Sequence, residues 1–570
     1  MHETEPGTYR IPPELRSSRI NVRHIAVSVF GTVVHHMRRH VGVGIVCSVA
    51  YFDPGNWSVD LQAGSNFGYR PMLFVILMAG IGAMVLQTLA CKLGCVTGID
   101  LASHCRLLLY NRPTHTRLIR RLVLYPLYVV SEIAIISTDL AELLGSAIGL
   151  CLIFPKLPLW AGVVLTATDV LVFLVFADPS RGQGRPVRTF EFIIMTLVFA
   201  VFACFVVLLV KVKPDWDDVF LGYLPSKGLF QAEPDAVYSA VGILGATIMP
   251  HALFLGSSLA AQDRVSLAPP EPLGLPGSAA TLTMRARLKA FFISQFRISP
   301  AERLAASKDY RTKYGERENN SLTFVRQHLV HGIVDVVSSL LGLAVPINSA
   351  ILILAAAVFF AGPNLRTGSP AGLFEAHDLI KARVGSGAAF VFALALVCAG
   401  QTSSITATLA GQLVSEGFIE WRISPFLRRL ITRLISLVPS VIVAVAVGRE
   451  GINTLLVASQ VALSVVLPFI AFPLIYLTSC EVVMRVRKPV HGLVEADAAS
   501  LHEVEDFSVD EEPKLDSTPI AQKAEIASVV VHETIDFSNG RILSAVAYAI
   551  WSIVLVANAY AIAMLAMKKT

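Results

Sequence analysis

Asp53-Pro54-Gly55-Asn56 interrupts an otherwise apolar run from Val41 to Phe52, and the reading of the whole chain turns on it. A carboxylate, a helix breaker and a carboxamide stand at what would be membrane depth. A carboxylate inside a bilayer costs roughly 3 kcal/mol on an insertion scale, so it is kept where it faces a cavity and binds something. Pro54 removes one helical hydrogen bond and Gly55 relaxes the backbone, which frees carbonyl oxygens to point at the same ligand. Taken alone, the tetrapeptide also fits a kinked span whose aspartate caps the next helical piece.

The membrane setting follows from composition. The chain has 570 residues, 54% hydrophobic and 16% charged, with a mean hydropathy of +0.62. Its apolar residues come in runs of about 20, the length that crosses a bilayer. Eleven spans are expected, at 40–57, 71–93, 120–148, 157–177, 189–211, 236–261, 328–360, 386–404, 428–447, 454–478 and 542–566. With a cytoplasmic N-terminus the even-numbered connections should be basic. They are: Arg106, Arg112, Arg117, Arg120 and Arg121 follow span two, Arg181, Arg185 and Arg188 follow span four, and Arg485, Arg487 and Lys488 follow span ten. The net charge of +5 therefore speaks to topology and not to nucleic acid. Eight cysteines without paired metal-ligand spacing indicate neither a disulfide framework nor a zinc module. The N-terminal stretch lacks the compact apolar core of a cleavable signal.

The expected organisation is a cytoplasmic tail over 1–39, five spans and a broken sixth over 40–262, a cytoplasmic loop over 263–327, spans seven to ten over 328–478, a polar cytoplasmic loop over 479–541 and an additional span over 542–570. Both polar loops read as flexible segments. They are compatible with sorting or regulatory partners, although no motif names one.

Span six carries Gly245-Ala246-Thr247-Ile248-Met249-Pro250-His251, so it is interrupted at its centre as span one is, five spans away. That is the signature of an all-α, LeuT-like five-plus-five inverted repeat, in which discontinuous helices one and six meet at the bilayer midplane. The donors restrict the substrate. Asp53 and Asn56 offer hard oxygens, a carbonyl freed near Ala246 offers another, and Met249 offers a thioether. A thioether does little for Mg²⁺ or Ca²⁺, whereas Mn²⁺, Fe²⁺, Co²⁺ and Cd²⁺ tolerate or favour it.

With these motifs in place the chain resembles the NRAMP family of proton-coupled divalent metal transporters, from about Arg39 to Tyr476. Further matching stretches are Lys92-Leu93-Gly94, Val96-Thr97-Gly98, Glu132 to Glu142, Gly400 to Ser404 with Gly411-Gln412, and Arg428 to Arg433. The resemblance implies Asp53, Asn56, the Ala246 carbonyl, Met249 and Gln460 as metal ligands, and no resident cofactor beside the transported ions. Two departures stand out. The family usually follows Met-Pro-His with Asn-Leu-Phe-Leu-His where this chain has Ala252-Leu253-Phe254-Leu255-Gly256, and Val466 stands where a second glutamine is common.

For the proton, span three supplies Glu132, Asp139 and Glu142 close to one helical face. Arg428 and Arg429 at the start of span nine are their expected partners, and the resemblance implies a proton exit route along them. A structural ion-pair network locking the two spans is the plainer account. His251, just after the second break, is expected to take part in proton handling. The leading reading is thus inward transport of Mn²⁺ or Fe²⁺ with H⁺ across a plasma or endosomal or vacuolar membrane. An ion-coupled amino-acid symporter on the same scaffold and a non-transporting metal sensor are the alternatives. No nucleotide-binding loop or placed nucleophile suggests an enzyme.

Overall fold

Unbroken apolar stretches form helices long enough to cross a bilayer, and among the described residues nine do so by length and composition. The computed structural model describes residues 36, 40–176, 185–231, 235–263, 285, 319–360, 372–420, 424–446, 448–488 and 533–567. The tail over 1–39 other than His36, and most of the two polar loops, lie outside these residues.

Span one is two helices, α1 (Val43–Val49) and α2 (Pro54–Phe67). Span two is α3 (Met72–Thr97), and a short α4 (Leu101–Leu109) leads to span three, α5 (Tyr125–Ile153). Spans four and five are α6 (Leu159–Phe176) and α7 (Arg185–Val212), followed by the short α8 (Trp216–Gly222). Span six divides into α9 (Ala236–Thr247) and α10 (Pro250–Ala260). Span seven is α11 (Leu322–Ser339) and α12 (Val345–Phe359) with a π-turn between them. After α13 (Leu373–Arg383) come α14 (Ser386–Ile419), α15 (Pro425–Ala446) and α16 (Gly448–Ser479) as spans eight to ten. A two-stranded antiparallel ladder of β1 (Arg485–Arg487) and β2 (Thr534–Asp536) brings the chain back to span eleven, α17 (Arg541–Met567).

Each of the eleven expected spans coincides with helix among the described residues, and several run past their expected bounds. Span one continues to Phe67, span seven begins at Leu322 and span eight continues to Ile419. The outer part of span one carries Ser58, Asp60, Gln62, Ser65 and Asn66, which depress its hydropathy. Those residues are tolerated because α2 is enclosed by protein: Trp57, Leu61 and Ala63 are buried beside Ser58 and Asp60. By contrast, Phe192, Val210, Val445 and Ile542 expose large apolar side chains on outer faces, where lipid would cover them.

Helix neighbours reveal the repeat. Span one packs on seven and span six on two; span three on ten and span eight on five; span three on four and span eight on nine; span one on five and span six on ten. Adding five to each span number carries every one of these contacts onto another. Spans one, two, six and seven form one group and three, four, eight and nine a second, with five and ten between them. This is the five-plus-five architecture expected from the two breaks.

Candidate functional site

At the first break α1 ends at Val49 and the chain stays irregular until Pro54 opens α2. Asp53 takes an extended conformation and caps α2, its Oδ1 accepting the Asn56 N–H at 2.9 Å, while its Oδ2 has no partner. Pro54 has no N–H, so the Ala50 carbonyl loses its helical donor. The neighbouring carbonyls are taken by side chains. Ser403 donates to Val49 O at 3.3 Å, Asn348 to Tyr51 O at 2.6 Å, and the Trp57 indole to Phe52 O at 3.0 Å.

The second break repeats the geometry with different chemistry. Ile248 and Met249 leave helical conformation, and Pro250 opens α10. The carbonyl that loses its donor is again four residues before the proline, that of Ala246. Asp53 and Met249 therefore occupy equivalent positions, as do Ala50 and Ala246. Met249 supplies no side-chain cap to its helix.

Span ten closes the arrangement. A Cβ added at Gly55 would overlap the Gln460 side-chain amide and would lie 3.0 Å from Asp53 Oδ2. Gln460 is thus seated on the first break, in a space only glycine leaves open. Asp53, Asn56, Met249 and Gln460 are 0% exposed and Ala246 1%, so the site is closed to solvent on both sides. Asp53 Oδ2, both amide atoms of Asn56 and Gln460 Oε1 are buried without partners. Orphaned buried oxygens of this kind are costly unless a ligand satisfies them. Among the described residues no three His, Cys, Asp or Glu side chains form a metal-binding group.

The first departure from the family pattern has a packing reason. A Cβ at Gly256 would overlap the Gln87 side-chain amide, whose Oε1 accepts the Tyr51 hydroxyl at 3.0 Å. The room that a second histidine would need is filled by this pair. His251 is fully buried with both ring nitrogens unpartnered. Val466 is buried in the apolar core.

The three span-three acids lie on α5 as expected, but the arginine that reaches them is Arg433. It pairs with Asp139 and also donates to the Ser404 hydroxyl. Arg428 instead pairs with Glu416 at 2.9 Å. Arg429 donates to Gln412 at 2.7 Å and to the Leu174 carbonyl at 3.2 Å. The reason is depth: Arg433 stands about one helical turn further along α15, level with Asp139. A cavity of about 10 Å³, room for roughly one water, is lined by Glu132, Asp139, Thr408, Arg433 and Ser436. Glu142 has no partner for either oxygen and lies within electrostatic reach of Asp139, Asp53 and Arg433.

Two further polar groups escaped the sequence reading. Asp60 is buried on α2 with Oδ2 unpartnered, two turns beyond Asp53 and within its electrostatic reach. Its i+7 spacing from Asp53 was the available signal. Asp169 on α6 accepts from Gln401 at 2.9 Å and feels Arg433, a cross-helix pairing that no local pattern announces.

Comparison with known proteins matches this arrangement to a family. The model for natural resistance-associated macrophage protein-like proteins (Nramp) matches residues 44–490. An iron transporter of Saccharomyces cerevisiae, SMF3, is 36% identical over 93% of this chain and 96% of its own length. A manganese transporter of Schizosaccharomyces pombe, pdt1, is 37% identical over 93% of this chain and 85% of its own. Among solved structures, the manganese transporter of Eremococcus coleocola superposes with a TM-score of 0.62 at 27% identity, over 91% of this chain and 84% of its own. Matched across both broken spans and the helices that hold them, the chain belongs to the Nramp family of multi-pass membrane transporters.

Proposed function

We propose that this protein moves Mn²⁺ or Fe²⁺, with Co²⁺ and Cd²⁺ also admitted, into the cytosol together with protons by alternating access. The coarse part rests on family membership, since the relatives are transporters of iron, manganese and divalent cations. The observation that carries the finer part is the donor set at the two breaks: one unpaired carboxylate oxygen at Asp53 and one thioether at Met249, both sealed from solvent. In this reading Asp53, Asn56, the Ala246 carbonyl, Met249 and Gln460 hold the ion, and the equivalent Ala50 carbonyl joins them. A single carboxylate neutralises half the charge of a divalent cation. The remaining charge acts on Glu142, which lies within reach of Asp53, and so couples metal arrival to proton departure along Glu142, Asp139 and Glu132. Rocking of spans one, two, six and seven against three, four, eight and nine exposes the site to each side in turn.

The amino-acid reading is not favoured: the unpaired Asp53 oxygen would repel the substrate carboxylate such a site must attract. Plasma membrane and an acidic endomembrane both suit inward, proton-driven uptake. The test is Mn²⁺ uptake into proteoliposomes with and without an inward proton gradient, with excess Ca²⁺ or Mg²⁺ as competitor. Concentrative uptake that needs the gradient and ignores Ca²⁺ is expected; uptake indifferent to the gradient would remove the proton from the mechanism.

A further inference from the structure

The short helix α4, between spans two and three, sits where the inner half of span six meets the end of span eight, at the basic-loop end expected to face the cytosol. Arg106 on this helix is 7% exposed. Its Nε lies 3.2 Å from Glu420 Oε1, its Nη1 donates to the Phe418 carbonyl at 2.8 Å, and its guanidinium stands 3.9 Å from the Tyr110 ring centroid. A Cβ added at Gly417 would lie 2.5 Å from the Ala102 Cβ and 2.8 Å from Ser103 N, so α4 rests directly on the backbone of α14. On its other side α4 holds span six, where the Leu101 N–H donates to Ser257 Oγ of α10 at 3.0 Å.

The end of span eight is shaped to meet this arginine. Glu420 caps α14 in the left-handed region, with φ 50° and ψ 48°, a place that glycine usually takes. A residue other than glycine is uncommon there, and the side chain that this one adds is the carboxylate facing Arg106. Phe418, whose carbonyl Arg106 binds, is fully buried. Its ring meets Phe254 of α10 edge-on at 6.0 Å and Tyr128 of α5 at 6.0 Å. One turn of chain thus touches spans three and six together.

For the central site to open at this end, the inner half of span six must part from spans three and eight. Arg106 bridges that line: α4 ties it to span six, and its side chain ties α4 to span eight.

We propose that Arg106 is a positioning residue that keeps the inner mouth shut, its guanidinium gripping Glu420 and the Phe418 carbonyl until the site opens inward. That the mouth opens at all rests on the alternating-access reading given above. The planar fork of an arginine serves carboxylate and carbonyl at once, which the single ammonium of a lysine does less well.

Cys47 is a native reporter for the test. It is fully buried on α1, its Sγ 3.3 Å from where a Cβ on Gly256 of α10 would stand, so a reagent reaches it when these inner half-helices part. The purified full-length protein in nanodiscs is treated with N-ethylmaleimide and each cysteine is followed by mass spectrometry. Cys151, toward the other end of span three, is the reference. Arg106→Gln and Glu420→Gln should each label Cys47 about fivefold faster than wild type, the population change that loss of a modest ion pair allows. Cys151 should be unchanged, and Arg106→Lys should fall between. Glu420→Gln alters a side chain that is 25% exposed and decides alone if Arg106→Gln does not elute as wild type. Equal Cys47 labelling in Glu420→Gln and wild type overturns the proposal, as does equal acceleration at Cys151, which marks general loosening. Mn²⁺ uptake by the wild type, run in parallel, tests the transport reading by itself: faster Cys47 labelling in the variants without any uptake would keep the latch and remove the transport.

Discussion

The two breaks share a backbone and differ in what they present. Each has a proline that strips the carbonyl four residues earlier of its donor, at Ala50 and at Ala246. At the residue before the proline the first offers a carboxylate and the second a thioether. The first is braced by Ser403, Asn348 and Trp57, which occupy its loose carbonyls, and Gln460 presses against Gly55. The second carries no side-chain cap. Only Asp53 lies within electrostatic reach of Glu142 and its acid chain. One backbone shape is thus present twice, with a carboxylate at one break and a thioether at the other.

That division can be broken by mutation. The largest effect is expected at the charged break: Asp53→Ala should lower Mn²⁺ uptake more than about 100-fold, beyond what loss of an outer-shell contact costs a metal site. Uptake near wild type would mean that the charge is not where the ion sits. Gly55→Ala comes next, because its methyl would displace Gln460. Overpacking of this kind costs about 1–3 kcal/mol. The variant should melt earlier and transport poorly, and adding Gln460→Gly should restore the melting temperature but not the uptake.

Arg433→Ala separates the acid chain from the charged break. Breaking a buried pair costs about 3–5 kcal/mol, whereas the partner of Arg428, Glu416, is half exposed and lies away from the acid chain. Proton influx that no longer tracks Mn²⁺ in Arg433→Ala, with coupling kept in Arg428→Ala, is the expected pattern; the reverse would restore the sequence-based assignment. At the neutral break, Met249→Ala should lower Mn²⁺ uptake only a few-fold while letting Ca²⁺ or Mg²⁺ compete. Without new competition the thioether is packing alone. The smallest effect is expected from His251→Ala, which should alter the pH response of uptake and leave Mn²⁺ affinity unchanged. An unaltered pH profile measured in the same proteoliposomes would exclude His251 from proton handling.

Much of this was legible in the chain because breakers are local. Pro54 and Pro250 act on carbonyls a fixed four residues away, so both interruptions and their spacing of five spans can be read from sequence. Span limits were less legible. Hydropathy ended span one early because Asp60 and its polar neighbours look unfit for lipid, and only the surrounding helices explain why they are not in it. The choice of Arg433 over Arg428 and Arg429 depended on how deep α15 sits against α5, a quantity with no sequence signature.

The sequence by itself determined that the chain is a multi-pass membrane protein, that two of its spans are interrupted in the same way, and that the interruptions carry a carboxylate and a thioether. Those facts depend on residue type and spacing along one chain. Tertiary structure decided that Gln460 seats on Gly55, that Gln87 fills the space beside Gly256, that Arg433 meets Asp139 and that His331 stacks against His36 and His40. Each of these joins residues far apart in the chain, and such contacts are fixed only when helices pack at a particular depth and rotation.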